Sequence, residues 1–215
     1  MEIIWYGHAC CALTDDTTTI ITDPYDNSLG VELPTLMADI VTVSHDNPRH
    51  NAVGAVGGQF KLVDSPGEYE IRQIFISATA LYPPQAADRS TVNDRNLVFV
   101  YNLDDLTVCH LGDLGHVPNQ SQIEGLDNVD ILLTPVGGGR SLNAAQAAEV
   151  IGLIEPALVI PIHYALPGIN VQLDSLDKFL REMGQSQLEA QNSLKITRRN
   201  LPEETQIVVL TPTFR

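Results

Sequence analysis

The sequence is poor in cysteine and in long apolar runs, and each shortage excludes a class of protein. It has three cysteines, two of them the neighbours Cys10 and Cys11. This number and spacing exclude a disulfide framework and favour a reducing compartment. No apolar stretch approaches the ~18 residues of a membrane-spanning helix. The segment after Met1 has no basic stretch followed by a cleavage site, so no leader peptide is predicted and a cytoplasmic protein is expected.

Basic residues are also scarce. Twelve lysines and arginines face 27 acidic residues, and the formal net charge is -15. Proteins that bind nucleic acid or anionic membranes need clustered basic side chains to neutralise phosphates. The charge balance therefore argues against both partners and is typical of a soluble protein with a solvated acidic surface. It leaves the oligomeric state open, and an oligomer is compatible with it.

Several common catalytic motifs are missing as well. The chain has no Gly-x-Ser-x-Gly nucleophile elbow, no phosphate-binding P-loop and no dinucleotide-binding Gly-x-Gly-x-x-Gly after a strand. Its cysteines, Cys109 included, stand in apolar strand-like segments, where a buried thiol is inert. A serine or cysteine nucleophile is therefore not expected.

What the sequence does have is a series of short strands followed by strands that alternate with helices. Such a series predicts an α/β fold of two packed mixed sheets with helices on the outer faces, an αββα sandwich. With 215 residues, 44% of them hydrophobic, the chain is long enough for one sizeable core. We expect a single domain over residues 1–215.

Two helices have clear end signals. Asn143 and Gln146 form a capping-box pattern before an apolar stripe that continues to Ile154. The second helix is expected to be capped by Asp174 and to stop at Gly184. The remaining predictions are a short helix at Gln120–Leu126, a loop at Leu81–Arg95 and a last strand at Ile207–Leu210.

Histidine and aspartate cluster where these apolar strands end. His45 and His50 follow one strand, and Asp113 and His163 follow two others. His8 stands in a Gly-His corner near the start of the chain. Imidazole and carboxylate groups gathered at strand ends are the ligands of a metal such as Zn²⁺.

In this order the motifs resemble the metallo-β-lactamase superfamily. The resemblance rests on His45 and His50, the pair Gly112-Asp113, and His163, and it extends from residue 1 to about residue 210. The opening Trp5-Tyr6-Gly7-His8-Ala9-Cys10, the Thr22-Asp23-Pro24 corner, Gly112-Asp113-Leu114-Gly115-His116 and Pro135-Val136-Gly137-Gly138-Gly139 are similar to the branch that contains ascorbate-phosphate lactonase and related metal-dependent hydrolases.

The resemblance also implies that ligands have been lost. The family signature His-x-His-x-Asp-His becomes His45, Asn47, Arg49 and His50 here, and no histidine lies between His50 and His110. The first of the family's two metals would retain His45 with the shared Asp113, and the second would retain His50, Asp113 and His163. At most one Zn²⁺ or Mn²⁺ ion is therefore expected, and a metal-free protein is the alternative.

The resemblance, taken with these lost ligands, implies a small-molecule substrate or ligand and leaves two functions open. One is a mononuclear metal-dependent hydrolase of a small lactone, ester or phosphoester, with Asp113 and His8 as catalytic residues. The other is a non-catalytic ligand-binding or scaffold relative, in which Arg49 pairs with Asp113 in place of the metal. The residues expected to bind the substrate are Asn47, Arg49, His116 and Arg140. For His8, a hydrogen bond to the backbone in a turn is an equally weighted alternative, and for Asp23, turn capping competes with orienting a site histidine.

Overall fold

The computed structural model describes residues 1–83, 95–126 and 128–214. Fifteen strands are arranged in two large sheets and one small pair. Within the described residues, no helix combines the length and the apolar character that crossing a membrane requires. Most of the predicted loop at Leu81–Arg95 lies outside the described residues, and Leu81 itself ends a strand.

The first sheet has six strands in the order β14-β1-β2-β3-β5-β7. Strands β1, β2 and β3 are antiparallel neighbours, whereas β3, β5 and β7 run parallel to one another. Strands β4 and β6 pair in parallel and form a separate two-stranded sheet. The strands of these two sheets are β1 (Glu2–Trp5), β2 (Cys11–Thr14), β3 (Thr19–Thr22), β4 (Leu36–Met37), β5 (Ile40–Thr42), β6 (Val56–Gly57), β7 (Lys61–Val63) and β14 (Leu194–Lys195).

The second sheet has seven strands in the order β15-β13-β12-β11-β10-β9-β8. Strands β8 to β11 form an antiparallel meander, and β11, β12, β13 and β15 run parallel. Its strands are β8 (Gly67–Ile71), β9 (Ile74–Leu81), β10 (Asn96–Leu103), β11 (Leu106–His110), β12 (Ile131–Pro135), β13 (Leu158–Ile162) and β15 (Gln206–Ile207).

The main hydrophobic core lies between the two sheets and continues under the helices. Trp5, Phe99 and Tyr101 are among its largest fully buried side chains. Every residue of β12 and β13 is buried, as expected for parallel strands covered on both faces. A second cluster, which includes Tyr25, covers the outer face of the first sheet. That face is covered by irregular chain with two short 3-10 turns, Asn27–Leu29 and Val53–Ala55, rather than by a regular α-helix.

The three α-helices are α1 (Gln120–Ile123), α2 (Ala144–Ile154) and α3 (Leu176–Glu182). The predicted capping box is confirmed, because the side chains of Asn143 and Gln146 each accept a hydrogen bond from the backbone N–H of the other. The predicted cap of α3 was wrong. Ser175 occupies the cap position, and the carboxylate of Asp174 pairs with Lys178 one turn later.

The predicted last strand was too long. Only Gln206–Ile207 forms strand β15, and Leu210 makes an isolated bridge to Gln191. The short strands β4, β6 and β14 have no counterpart in the sequence prediction, because two residues are too few for an alternating pattern to appear. The predicted sandwich of two mixed sheets is confirmed.

Candidate metal centre

The candidate site lies where parallel strands of both sheets end. Asp23 follows β3, Ser44 closely follows β5, Asp113 follows β11, and His163 follows β13. Because the carboxyl ends of parallel strands meet at one edge of a sheet, their loops gather there. The site therefore combines residues from both halves of the sandwich.

His50 is held by a buried carboxylate. Its Nδ1 lies 3.0 Å from Oδ2 of Asp23, which is completely buried. Asp23 also accepts hydrogen bonds from the backbone N–H and the hydroxyl of Ser44. A carboxylate that accepts from Nδ1–H fixes the tautomer of the imidazole, so the Nε2 atom of His50 carries the free lone pair.

His163 is oriented in the same way by a hydroxyl group. Its Nδ1 lies 3.1 Å from Oγ of Ser141, and that hydroxyl donates its proton to the carbonyl oxygen of Gly138 at 2.9 Å. Because a serine has one proton to donate, its oxygen accepts from Nδ1–H of His163. The Nε2 atom of His163 therefore also carries a free lone pair.

Both lone pairs face Asp113. Its Oδ1 is 3.4 Å from Nε2 of His163, and its Oδ2 is 4.0 Å from Nε2 of His50. Oδ1 is buried and has no hydrogen-bond partner among the described residues. Unprotonated nitrogens that face a carboxylate repel it, so this arrangement is suited to a bound cation or proton.

His8 completes the group. Its ring centroid is 3.8 Å from that of His163 and 4.7 Å from that of His50. One nitrogen from each of the three histidines can be chosen so that all three lie within 4.8 Å of one another. Both nitrogens of His8 are buried and lack a partner within the described part of the chain. The hydrogen bond to the backbone that a turn histidine would make is therefore not formed.

Three site residues have a strained backbone. His8, Asp23 and His163 have φ angles of 51°, 40° and 52°, in the left-handed region that residues other than glycine rarely adopt. Such strain costs about 1–3 kcal/mol per residue and occurs preferentially at functional sites. The backbone N–H of His163 donates to the carbonyl oxygen of His8 at 2.9 Å, so one hydrogen bond links these two strained backbone segments.

Asp113 is positioned by the buried side chain of Asn96. The amide oxygen of Asn96 accepts from the backbone N–H of Asp113 at 2.8 Å, and its nitrogen donates to the carbonyl oxygen of Leu111 at 2.9 Å. Between them, Gly112 has a φ of 63°, and a Cβ atom there would lie 2.3 Å from Cβ of Ser44. Only glycine lets these two loops approach so closely.

A pocket of about 230 Å³ opens onto this cluster. Its lining contains every predicted metal ligand and three of the four predicted substrate-binding residues. His45 lines it, but its ring centroid is 6.0 Å from that of His50 and it does not belong to the group of three histidines. The complete lining is His8, His45, Asn47, Arg49, His50, Asp113, Gly139, Arg140, His163, Val171, Gln172 and Leu173.

Two sequence expectations require correction. Arg49 and Asp113 do not pair: Asp113 faces His50 and His163 instead, and the guanidinium of Arg49 has no described carboxylate within 4.0 Å. His116, expected at the substrate, does not line the pocket. The Nε2 atom of His116 is buried without a partner among the described residues. The preceding residue, Gly115, packs against the backbone carbonyl oxygen of Arg140.

Burial and neighbouring charges separate the pKa values of the three histidines. Burial lowers the pKa of His163 to about 4 and, with help from the nearby His163, His50 and Arg49, lowers the pKa of His8 well below its usual value. Burial acts against protonation of His50 as well, but the hydrogen bond to Asp23 and the charge of Asp113 outweigh it and raise the pKa of His50. His8 and His163 are thus neutral and ready to bind a metal at neutral pH.

These shifts predict that the metal-free protein is most stable near pH 6.5, the usual pKa of histidine. Between about pH 4 and 6.5, His8 and His163 become protonated in the unfolded chain but stay neutral in the folded protein. The free energy of unfolding therefore falls as the pH decreases. For His163 alone, this corresponds to about 3 kcal/mol. Above pH 6.5 the protonated form of His50 is lost as the pH rises through its raised pKa, and stability falls again.

Urea unfolding of chelator-treated protein from pH 5 to pH 8 would measure this profile. The variant His163→Gln is the control. It should make the fall in stability on the acid side less steep, because the lowered pKa of His8 remains, and it should leave the alkaline side in place. A stability that keeps rising up to pH 8 would contradict the assignment of the raised pKa to His50.

The donor set fits a borderline metal ion. Three imidazoles with one carboxylate beside them are typical ligands of Zn²⁺, and the Asp23 and Ser141 contacts are the partners that ligating histidines usually have. The unpartnered nitrogens of His8 and the unpartnered Oδ1 of Asp113 are the atoms that such an ion would satisfy. The sequence prediction had placed His8 near the site but not among the metal ligands.

Comparison with known proteins agrees with this geometry. Residues 2–163 match the β-lactamase superfamily domain. A UPF0173 protein of Pyrococcus abyssi is 25% identical over 198 residues, which cover 85% of this chain and 90% of the relative. A UPF0173 metal-dependent hydrolase of Thermoplasma acidophilum is 28% identical over 193 residues, which cover 76% of this chain and 83% of the relative. A crystal structure from Thermotoga maritima superposes with a TM-score of 0.80, at 34% identity and with 97% of each chain covered.

Proposed function

The chain belongs to the metallo-β-lactamase superfamily, and we propose that it is a hydrolase that uses a single metal ion bound by His8, His50, His163 and Asp113. The observation that carries this proposal is the convergence of one nitrogen from each of His8, His50 and His163, close to an unpartnered carboxylate oxygen of Asp113. The relative from Thermoplasma acidophilum is named a metal-dependent hydrolase, and the Thermotoga maritima protein is described as a candidate Zn-dependent hydrolase of the same superfamily.

Each residue of the site has a distinct task in this proposal. His8, His50, His163 and Asp113 would hold a Zn²⁺ or Mn²⁺ ion, which would supply a water of lowered pKa as the nucleophile. Asp113 would also balance the positive charge of the ion and accept a hydrogen bond from that water. Asp23 and Ser141 accept from the Nδ1 atoms of His50 and His163, which orients both rings so that their Nε2 atoms would face the ion. His45 lines the pocket outside the cluster, and its Nδ1 donates to the carbonyl oxygen of Arg95 at 3.3 Å. Its Nε2 is therefore free to accept a hydrogen bond from the substrate.

The rest of the pocket favours a small substrate with an anionic group. Arg49 and Arg140 line it, and neither guanidinium has a described carboxylate within 4.0 Å. Unpaired cations at the mouth of a pocket are unusual in a chain of net charge -15. On the same lining, Val171 and Leu173 offer apolar contacts. We therefore infer a lactone, ester or phosphoester that carries a carboxylate or phosphate group.

The non-catalytic alternative is less well supported. Its distinguishing feature was an ion pair between Arg49 and Asp113, and that pair is not formed. Arg49 instead adds positive charge near His8 and His50. It contributes to the lowered pKa of His8 and opposes the raised pKa of His50, which Asp23 and Asp113 outweigh. A nearby fixed cation weakens metal binding, so a moderate affinity is expected rather than none.

The test is a screen of anionic and neutral lactones, esters and phosphoesters with Zn²⁺- or Mn²⁺-loaded protein. For an anionic substrate, Arg140→Ala is expected to raise KM about tenfold, the loss of one hydrogen bond to a charged group. Metal content should not change, because Arg140 is exposed and does not belong to the cluster.

Arg181→Ala on α3 is the matched control, since this arginine is exposed and, among the described residues, its side chain donates one hydrogen bond, to the backbone of its own helix. Equal KM values for Arg140→Ala and the wild type would contradict the assignment of Arg140. A loaded protein that hydrolyses none of the three substrate classes would contradict the proposed chemistry.

A further inference from the structure

His110 is a buried polar residue that the metal centre as described does not use. It is the last residue of β11 and is completely buried, three positions before Asp113. Its strand partners in register are Phe99 and Leu133, both apolar. By burial alone, an apolar side chain would suit this position, so the imidazole calls for a separate explanation.

The imidazole connects the two sheets. Its Nε2 lies 2.9 Å from the carbonyl oxygen of Ala9 and 3.3 Å from Oγ of Thr22. Because a carbonyl oxygen only accepts, Nε2 carries the proton and donates it. The opposite nitrogen, Nδ1, is buried and has no partner among the described residues. A single donated hydrogen bond is thus what this side chain contributes.

The imidazole of His110 thus reaches two corners of the site, through the carbonyl oxygen of Ala9 and the hydroxyl of Thr22. Ala9 directly follows His8, the histidine with two unpartnered nitrogens, and Thr22 directly precedes Asp23, which holds His50. Thr22 itself donates to the same carbonyl oxygen of Ala9 at 3.0 Å. One side chain of the second sheet therefore fixes the strained corner of the first sheet that presents His8.

We propose that His110 is a positioning residue that sets the place of the His8 ring relative to His163 and Asp113. His110 and Asp113 belong to the same strand end of the second sheet, so the hydrogen bond to Ala9 fixes the distance between the two sheets at the metal-binding residues. The proposal rests on the proposed metal site, and it predicts that His110 controls metal affinity without touching the metal.

A matched control distinguishes positioning from general stabilisation. Thr42 and Tyr101 form another buried hydrogen bond between the sheets, 2.7 Å long. Thr42 is the last residue of β5, and Tyr101 lies within β10. Tyr101→Phe removes this bond with a small change in shape. It should destabilise the fold to a similar degree as a His110 variant and leave metal affinity within about twofold of the wild type.

The experiment measures Zn²⁺ affinity by competition with a chromophoric chelator, at a temperature where every variant is folded. His110→Leu and His110→Asn, which cannot reach Ala9, are expected to weaken Zn²⁺ binding about tenfold or more, as loss of an outer partner of a metal ligand does. His110→Gln places a donor nitrogen near the position of Nε2 and should restore most of the affinity. Unchanged affinity in His110→Leu, or an equal loss in Tyr101→Phe, would overturn the proposal.

A second readout in metal-free protein keeps this proposal separate from the proposed function. The ring resonances of His8, assigned with a His8→Gln variant, should shift in His110→Leu and His110→Asn and stay in place in Tyr101→Phe. If the wild type binds no Zn²⁺, the proposed metal site fails, while these resonances still decide whether His110 positions His8. Unshifted resonances in both His110 variants would refute the positioning role.

Discussion

Replacing Asp113 with asparagine is expected to abolish metal binding and, at the same time, to stabilise the metal-free protein. In the metal-free state, Oδ1 of Asp113 lies 3.4 Å from an unprotonated nitrogen of His163 and has no hydrogen-bond donor in the described chain. The amide nitrogen of asparagine can donate to that same nitrogen. Satisfying a buried group of this kind is worth about 1 kcal/mol or more.

Both effects can be measured by comparing Asp113→Asn with the wild type. Urea unfolding after chelator treatment should show Asp113→Asn to be about 1 kcal/mol more stable than the wild type. Zn²⁺ affinity should fall by more than about 100-fold, because even loss of an outer partner costs 10–100-fold. Opposite signs of the two effects are typical of a functional site. A variant that loses stability in the metal-free state would indicate that Asp113 has a structural role instead.

The second large effect is expected from Asp23→Ala. This carboxylate is completely buried and accepts from the backbone N–H of Ser44, the hydroxyl of Ser44 and Nδ1 of His50. Removing it leaves three buried donors without an acceptor. Because breaking a buried ion pair costs about 3–5 kcal/mol, we expect a loss of that size in the free energy of unfolding. Metal affinity should also drop, since His50 is no longer oriented.

Asp39→Ala is the comparison for this experiment. The carboxylate of Asp39 accepts from the backbone N–H of Thr19 and pairs with the guanidinium of Arg72, but this ion pair is partly exposed. Its removal is expected to cost about 1 kcal/mol, as for other surface pairs. Urea unfolding and Zn²⁺ titration of both variants provide the measurements, with Asp23→Asn as a milder substitution if Asp23→Ala does not fold. Equal, small losses at both positions would mean that Asp23 is only a turn cap.

The sequence predicted the sandwich and several residues of the candidate metal centre because their signals are local. The helix Ala144–Ile154 could be placed from a capping box and an apolar stripe, and His50, Asp113 and His163 from their positions after apolar strands. The superfamily membership that these motifs indicated is confirmed by the domain match.

The remaining features depend on contacts between distant segments. His8 becomes a candidate ligand only because the loops that carry His50 and His163 bring their rings within 5 Å of it. Nothing in the local sequence shows that the carboxylate of Asp23 reaches His50 rather than its own turn. Arg49 aligned with a lost ligand position, and charge alone predicted a pair with Asp113. The structure shows that the two carboxylate oxygens face histidines instead.

The metal content of the purified protein, expressed with Zn²⁺ and Mn²⁺ supplied and without a chelating tag, tests the central claim most directly. About one ion per chain is expected in the wild type. His163→Ala should lose the ion, whereas His45→Ala should retain it, because His45 lies outside the group of three histidines. A wild type that contains no metal at saturating supply would contradict the account, and so would a metal that His45→Ala loses and His163→Ala keeps.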